Sequence, residues 1–248
     1  MSVETQDRLK VLAASLRRVR QHPHDAEAIH KLRVAIRRFT QALRVFQDSF
    51  DPAHIRKIRR RLSKLMELCG AARNCDIAVD VLNAAGVPAG KSLQRELRHL
   101  RSRAERDLVE RLSDKDSRLD TRRWRTWLKS PATVDASSVL PKLARDFSKT
   151  GAAAVRAQAT YSEIHQFRLL VKRYRYTLEI LGGPKQRLDL LRRLQERLGA
   201  INDCVATAEV IDECGIHGGE LRRIKTALHR LLARRTVEFR IYWRQHKP

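Results

Sequence analysis

Residues 29–46, IHKLRVAIRRFTQALRVF, and residues 164–181, IHQFRLLVKRYRYTLEIL, write one amphipathic phrase twice. At the helical step of about 100° per residue, Arg33, Arg37, Gln41 and Arg44 fall within about 60° of His30, and Arg38 lies just beside them. Leu32, Ile36, Phe39, Leu43 and Phe46 gather on the opposite side. The second copy places Phe167, Val171, Tyr174, Leu178 and Leu181 on its apolar side and His165, Arg168 and Lys172 on a basic stripe, flanked by Arg173 and Arg175. Each phrase reads as a helix with one face for a core and one for an anion. A histidine followed by cations three and seven residues later makes a line with about one turn, roughly 5.4 Å, between groups, a spacing that suits a chain of phosphates.

The starts of the two helices repeat as well. Asp25 and Thr160 each stand five residues before the histidine, where an N-cap is expected, and Thr160-Tyr-Ser-Glu163 has capping-box spacing. Outward from these phrases, apolar residues keep recurring at three- and four-residue intervals and no long alternating β-branched run competes, so the chain reads as all-α. Helices are expected at about 3–20, 25–47, 53–69, 74–84, 91–112, 119–129, 138–157, 161–181, 186–199, 201–213 and 218–244. Pro23, Pro52, Pro88, Pro131, Pro141 and Pro184 stand in or beside the breaks, and Gly182-Gly183 and Gly218-Gly219 fit turns. The small, polar, proline-bearing stretch SPATVDASS at 130–138 is the best linker candidate.

A second element follows each phrase: RRRLSKLMELCGAARNCDIAV at 59–79 and LLRRLQERLGAINDCVATAEV at 190–210. Their alignment pairs Lys64 with Arg193, Glu67 with Glu196, Gly70 with Gly199, Asn74 with Asp203 and Cys75 with Cys204. Gly70 and Gly199 read as helix ends, with Arg73-Asn74 and Asn202-Asp203 capping the helices that follow. On the helix before Gly70, Arg56, Lys57, Arg60 and Lys64 oppose Ile55, Ile58, Leu62 and Leu65, a second basic face beside the first.

Composition agrees with an anionic partner. Lys and Arg number 52 against 28 Asp and Glu, a formal charge of +24, which repels itself unless a polyanion or counterions offset it. Between residues 30 and 64 stand eleven Lys or Arg and only Asp48 and Asp51 as acids, so internal ion pairing cannot neutralise the patch. Cys69, Cys75, Cys204 and Cys214 lack metal-site spacing and read as reduced packing thiols. With no apolar run of membrane-span length and no signal-like N-terminus, a cytoplasmic protein without membrane contact is expected.

The two histidine phrases, H30-KLRVAIRR and H165-QFRLLVKRYRY, together with the two corner motifs LCGAARNCDIAV and LGAINDCVATAEV, resemble the CHAD domain family, the conserved histidine α-helical domain. The resemblance covers nearly the whole chain as one CHAD-like domain over 1–248. It implies two similar antiparallel four-helix bundles related by the internal repeat, about residues 1–130 and about 136–248. It also implies binding of inorganic polyphosphate, association with polyphosphate granules, and polyphosphate-metabolising proteins as partners. The residues expected to hold the polymer are His30, Arg33, Arg37, Arg38, Arg44, Arg56, Lys57, Arg60, Lys64, His165, Arg168, Lys172, Arg173, Arg175, Arg193 and Arg197. Arg73-Asn74 stands where the family usually carries Arg-Asp, and Gln41 interrupts the first stripe. The E-x-E-x-K signature of the triphosphate-tunnel domain that accompanies some members does not occur in the chain.

Other chemistries fit less well. A metal site needs clustered donors, yet each repeat offers one histidine among cations that repel a metal ion. The remaining histidines, His22, His24, His54, His99, His217, His229 and His246, read as surface residues. Phosphoryl transfer needs carboxylate-held metal or a phosphate-cradling glycine loop, and no such motif appears. Neither catalytic residues, nor a metal, nor a cofactor are therefore expected. The alternative is non-specific RNA or DNA backbone binding, because the same arginines would neutralise either polymer. Single-strand binders usually add exposed aromatic platforms, whereas here Phe39, Phe46, Phe167 and Tyr174 fall on apolar faces and Tyr176 is the exception.

Overall fold

The computed structural model describes residues 2–113, 119–129 and 136–246, and every regular element among them is helical. In chain order these are α1 (Ser2–Gln21), α2 (Ala26–Val45), a short 3-10 turn (Gln47–Ser49), α3 (Pro52–Ala84), α4 (Lys91–Ser113), α5 (Thr121–Trp127), α6 (Ala136–Ala154), α7 (Tyr161–Leu181), α8 (Lys185–Glu213) and α9 (Gly218–His246). Of the linker candidate at 130–138, residues 130–135 lie outside the described residues and 136–138 open α6. Pro141, beside a break and within the helix expected at 138–157, stands inside α6.

Both histidine helices start at their expected caps. Asp25 accepts hydrogen bonds from the amides of Glu27 and Ala28, satisfying two otherwise orphan donors. Thr160 and Glu163 form a reciprocal capping box at the start of α7, and Gly182 ends that helix in the left-handed region at φ 71°.

Gly70 and Gly199, read as helix ends, lie inside α3 and α8, which run unbroken through both corner motifs. A mid-helix glycine costs about 1 kcal/mol against alanine, too little to stop helices with Leu, Ala and Arg on either side. The glycines that do adopt positive φ are Gly86, Gly182, Gly215 and Gly218. Arg73, Asn74, Asn202 and Asp203 are consequently mid-helix side chains rather than caps.

The chain divides into two compact units, Met1–Cys75 with Arg98–Val134, and Asp76–Leu97 with Asp135–Pro248. In the first, α1 packs against α2 and α5. The apolar stripe of α2, Leu32, Ile36, Phe39, Leu43 and Phe46, is buried throughout, and Phe39 stacks on the buried Trp124 of α5 with ring centroids 6.4 Å apart. Each such side chain contributes about 1.5–3 kcal/mol on burial. Buried Glu105 of α4 pairs with Arg101 and takes His24 Nδ1 at 2.7 Å, tying the α1–α2 turn to α4.

In the second unit α6, α7, α8 and α9 pack in succession. Phe147, Phe167, Tyr174, Leu191, Leu194, Leu198, Phe239 and Tyr242 form the centre of its core. Tyr176 is buried rather than displayed, with the Arg175 guanidinium 4.2 Å from its ring. All four cysteines are buried and none is in a disulfide. Burial pushes the Cys69 thiol up to about 12 and raises that of Cys204 as well.

Candidate anion-binding site

In the first unit, His30, Arg33 and Arg37 of α2 are half-buried along one line. Facing them, Gly70 leaves room on α3: a β-carbon there would come within 3.1 Å of Arg33 Nη1. Arg73, one turn further along α3, acts on His30. Burial first, and then the Arg73 guanidinium, hold the imidazole below its ordinary range; Arg37 and Arg33 push the same way and Glu27 opposes them. The Nε of Arg37 is buried with no hydrogen-bond partner among the described residues. A neutral histidine crowded by guanidinium groups is a place where an incoming anion relieves repulsion.

Further along α3 the basic face opens into two concavities. One is lined by Arg60, Arg61 and Lys64 with Arg111 of α4, the other by Ala53, Arg56, Lys57 and Arg60. Among the described residues no carboxylate lines either. Arg56, Lys57, Arg60 and Lys64 are exposed, as are Arg38 and Arg44 on α2. Arg61 and Arg111 escaped the sequence reading. Arg61 sits in the run Arg59-Arg60-Arg61 but off the counted stripe, and Arg111 arrives from a different helix, which only the fold can show.

In the second unit His165, Arg168 and Lys172 of α7 are likewise half-buried, and Arg173 is exposed. Here the histidine has neutral company. The Tyr161 hydroxyl lies 3.4 Å from His165 Nδ1 and donates to Asn202 Oδ1 at 3.2 Å. Burial raises the Tyr161 phenol above its ordinary range, Arg168 pulls it down, and Glu209 and Asp203 push it up. Asn202 is the counterpart of Arg73 in the corner repeat, so both corners send a side chain from the next helix toward the histidine. One sends a cation and the other an amide.

Arg175 departs from its expected place on the stripe: it is buried, donating from Nε to Gln195 Oε1 at 2.8 Å and pairing with Glu179. These partners occupy it in packing α7 against α8. Arg193 is exposed on α8, while Arg197 is half-buried with its guanidinium 3.9 Å from the Tyr242 ring. Among the described residues no group of three or more His, Cys, Asp or Glu could hold a metal ion, and no helix is long and apolar enough to cross a membrane.

The sequence model of the CHAD domain family matches residues 5–212. Among solved structures, the chain is similar to PptA from Streptomyces chartreusis, with a TM-score of 0.75 at 18% identity over 98% of this chain and 96% of that one. It is also similar to the CHAD domain from the plant Ricinus communis, with a TM-score of 0.70 at 21% identity over 97% of this chain and 89% of that one. Among curated proteins no match is found.

Proposed function

The chain belongs to the CHAD domain family, and from that premise we propose that it binds inorganic polyphosphate through a basic face in each unit, without chemistry of its own. The carrying observation is the concavity of Arg60, Arg61, Lys64 and Arg111, four cations brought together from two helices. Fixed cations around a dent attract a flexible polyanion and form charge-assisted hydrogen bonds to its oxygens. His30, Arg33, Arg37 and Arg73 extend that face toward the start of α2, and His165, Arg168 and Lys172 are its counterpart in the second unit. In this reading each sequence repeat is one antiparallel four-helix bundle, and the protein works in the cytoplasm at polyphosphate granules beside polyphosphate-metabolising proteins. Arg175, held by Glu179 and Gln195, is left out of the binding set.

The test is a competition titration of long-chain polyphosphate against single-stranded RNA at matched phosphate concentration and salt. Polyphosphate, with closely spaced phosphates and no bases to accommodate, wins the competition. Equal or tighter binding of RNA overturns the assignment in favour of a nucleic-acid backbone. For roughly eight engaged phosphates the logarithmic salt slope is about −5 for either polymer, so salt dependence does not discriminate and direct competition does.

A further inference from the structure

The stretch Asp120–Lys129, DTRRWRTWLK, interleaves tryptophans with cations, and the fold gives its two indoles different fates. Asp120 caps α5 by accepting from the amides of Arg122 and Arg123. Trp124 turns fully into the core, while Trp127, three residues on, stays half-buried at the surface. His54, from the first turn of α3, lies flat on that indole, with ring centroids 4.3 Å apart and planes 7° from parallel. Arg123 and Lys57 stand over the same indole at 5.1 Å and 5.8 Å from its centroid. One imidazole face is against the indole and Nδ1 lies 3.5 Å from Asp51 Oδ2, yet the His54 side chain remains 36% exposed.

Lys57 joins this aromatic pair to the adjoining concavity, whose lining is Ala53, Arg56, Lys57 and Arg60. A bare phosphate chain has no π face and gains nothing from a stacked imidazole and indole. A nucleobase does, and a surface aromatic ringed by cations beside a basic dent is the chemistry of single-strand and nucleotide recognition. We propose that this corner of the first unit is a nucleotide subsite: the base extends the His54–Trp127 stack while its phosphates lie on Arg56, Lys57 and Arg60. This deepens the polyphosphate reading and rests on it, because the same α3 cations receive the phosphates in both.

The test measures binding of ATP, inorganic tripolyphosphate and adenosine to the full chain, with indole emission recorded alongside. Tripolyphosphate carries more charge than ATP, so charge alone gives it the tighter binding. Stacking reverses the order: ATP binds at least about fivefold tighter than tripolyphosphate, and quenches indole emission where tripolyphosphate does not. Trp127→Leu abolishes both the preference and the quenching and leaves tripolyphosphate affinity unchanged; His54→Ala, which leaves α5 intact, lowers the preference in the same sense. A short oligoadenylate in a parallel arm distinguishes a free nucleotide from a strand as the source of the base.

Equal or weaker binding of ATP than of tripolyphosphate overturns the subsite, as does equal loss of both ligands in the two variants. Retained binding of long-chain polyphosphate in that case leaves the polyphosphate reading standing. Failure of long-chain polyphosphate itself to bind, with ATP still quenching through Trp127, overturns that reading and keeps the subsite.

Discussion

Gly70 on α3 and Arg33 on α2 meet so closely that a β-carbon on the glycine would stand 3.1 Å from the guanidinium Nη1. Its counterpart in the second repeat, Gly199, has nothing within 4 Å of the same imagined carbon. The pair therefore separates backbone cost from site geometry. Gly70→Ala removes a mid-helix glycine, worth about 1 kcal/mol of helix propensity, while the tip of Arg33, the far end of a flexible chain, gives way by a few tenths of an ångström. We expect unchanged or slightly raised thermal stability and a several-fold weaker polyphosphate affinity. Gly199→Ala should raise stability and leave affinity alone. Equal affinity changes in the two variants would refute the role assigned to Gly70.

The His30 imidazole supplies a pH signature. Its pKa is low in the free chain because of burial and Arg73, and a bound polyanion raises it. Affinity is then greatest at acid pH and falls as pH rises through the bound-state pKa, while the arginines stay charged. Titrating affinity between about pH 5.5 and 8.5 should show this slope, and His30→Gln with His165→Gln should flatten it. Arg73→Gln should bring the His30 pKa back up in the free chain, read by NMR. An unaltered pH profile in the double variant would make both histidines structural.

Removing two exposed cations from the basic dent tests the binding face without touching the core. Arg60→Gln with Lys64→Gln deletes two of the four lining charges. If each contributes about 1.5–3 kcal/mol as a charge-assisted hydrogen bond, the dissociation constant rises by at least about a hundredfold, while the thermal midpoint stays put or climbs as repulsion is relieved. Unchanged affinity sinks the assignment of this face.

The capping box of α7 makes a stability prediction independent of any ligand. Thr160→Ala leaves the Glu163 amide without its side-chain acceptor and removes half of the reciprocal pair. The expected cost is about 1 kcal/mol, read by chemical denaturation, with no change in α2 or its site.

Legibility in the sequence followed the range of the interaction. Asp25 and Thr160 act within one turn, so spacing alone located them, and the apolar stripe of α2 obeys a local period and is buried as expected. Gly70 misled because a glycine before two polar residues satisfies every local rule for a helix end; only Arg33, from another helix, shows why it is there. The corner side chains were misjudged in the same step, since Arg73 and Asn202 serve the histidines from mid-helix. Arg175 looked free until Gln195, twenty residues away, supplied its acceptor. His54 had no sequence neighbour to mark it, because its indole partner stands on α5.

The four cysteines carry a practical dividend. With its thiol pushed up to about 12, Cys69 holds a negligible thiolate fraction near neutrality, and its three fellows are shielded by packing. A maleimide or disulfide reagent should pass over the native chain. A single reporter introduced by Ser63→Cys, beside Lys64 on the exposed side of α3, becomes the one fast-reacting sulfur without any background substitutions. A chain this quiet toward electrophiles can be tagged, tethered or spin-labelled with its folded core left as it is.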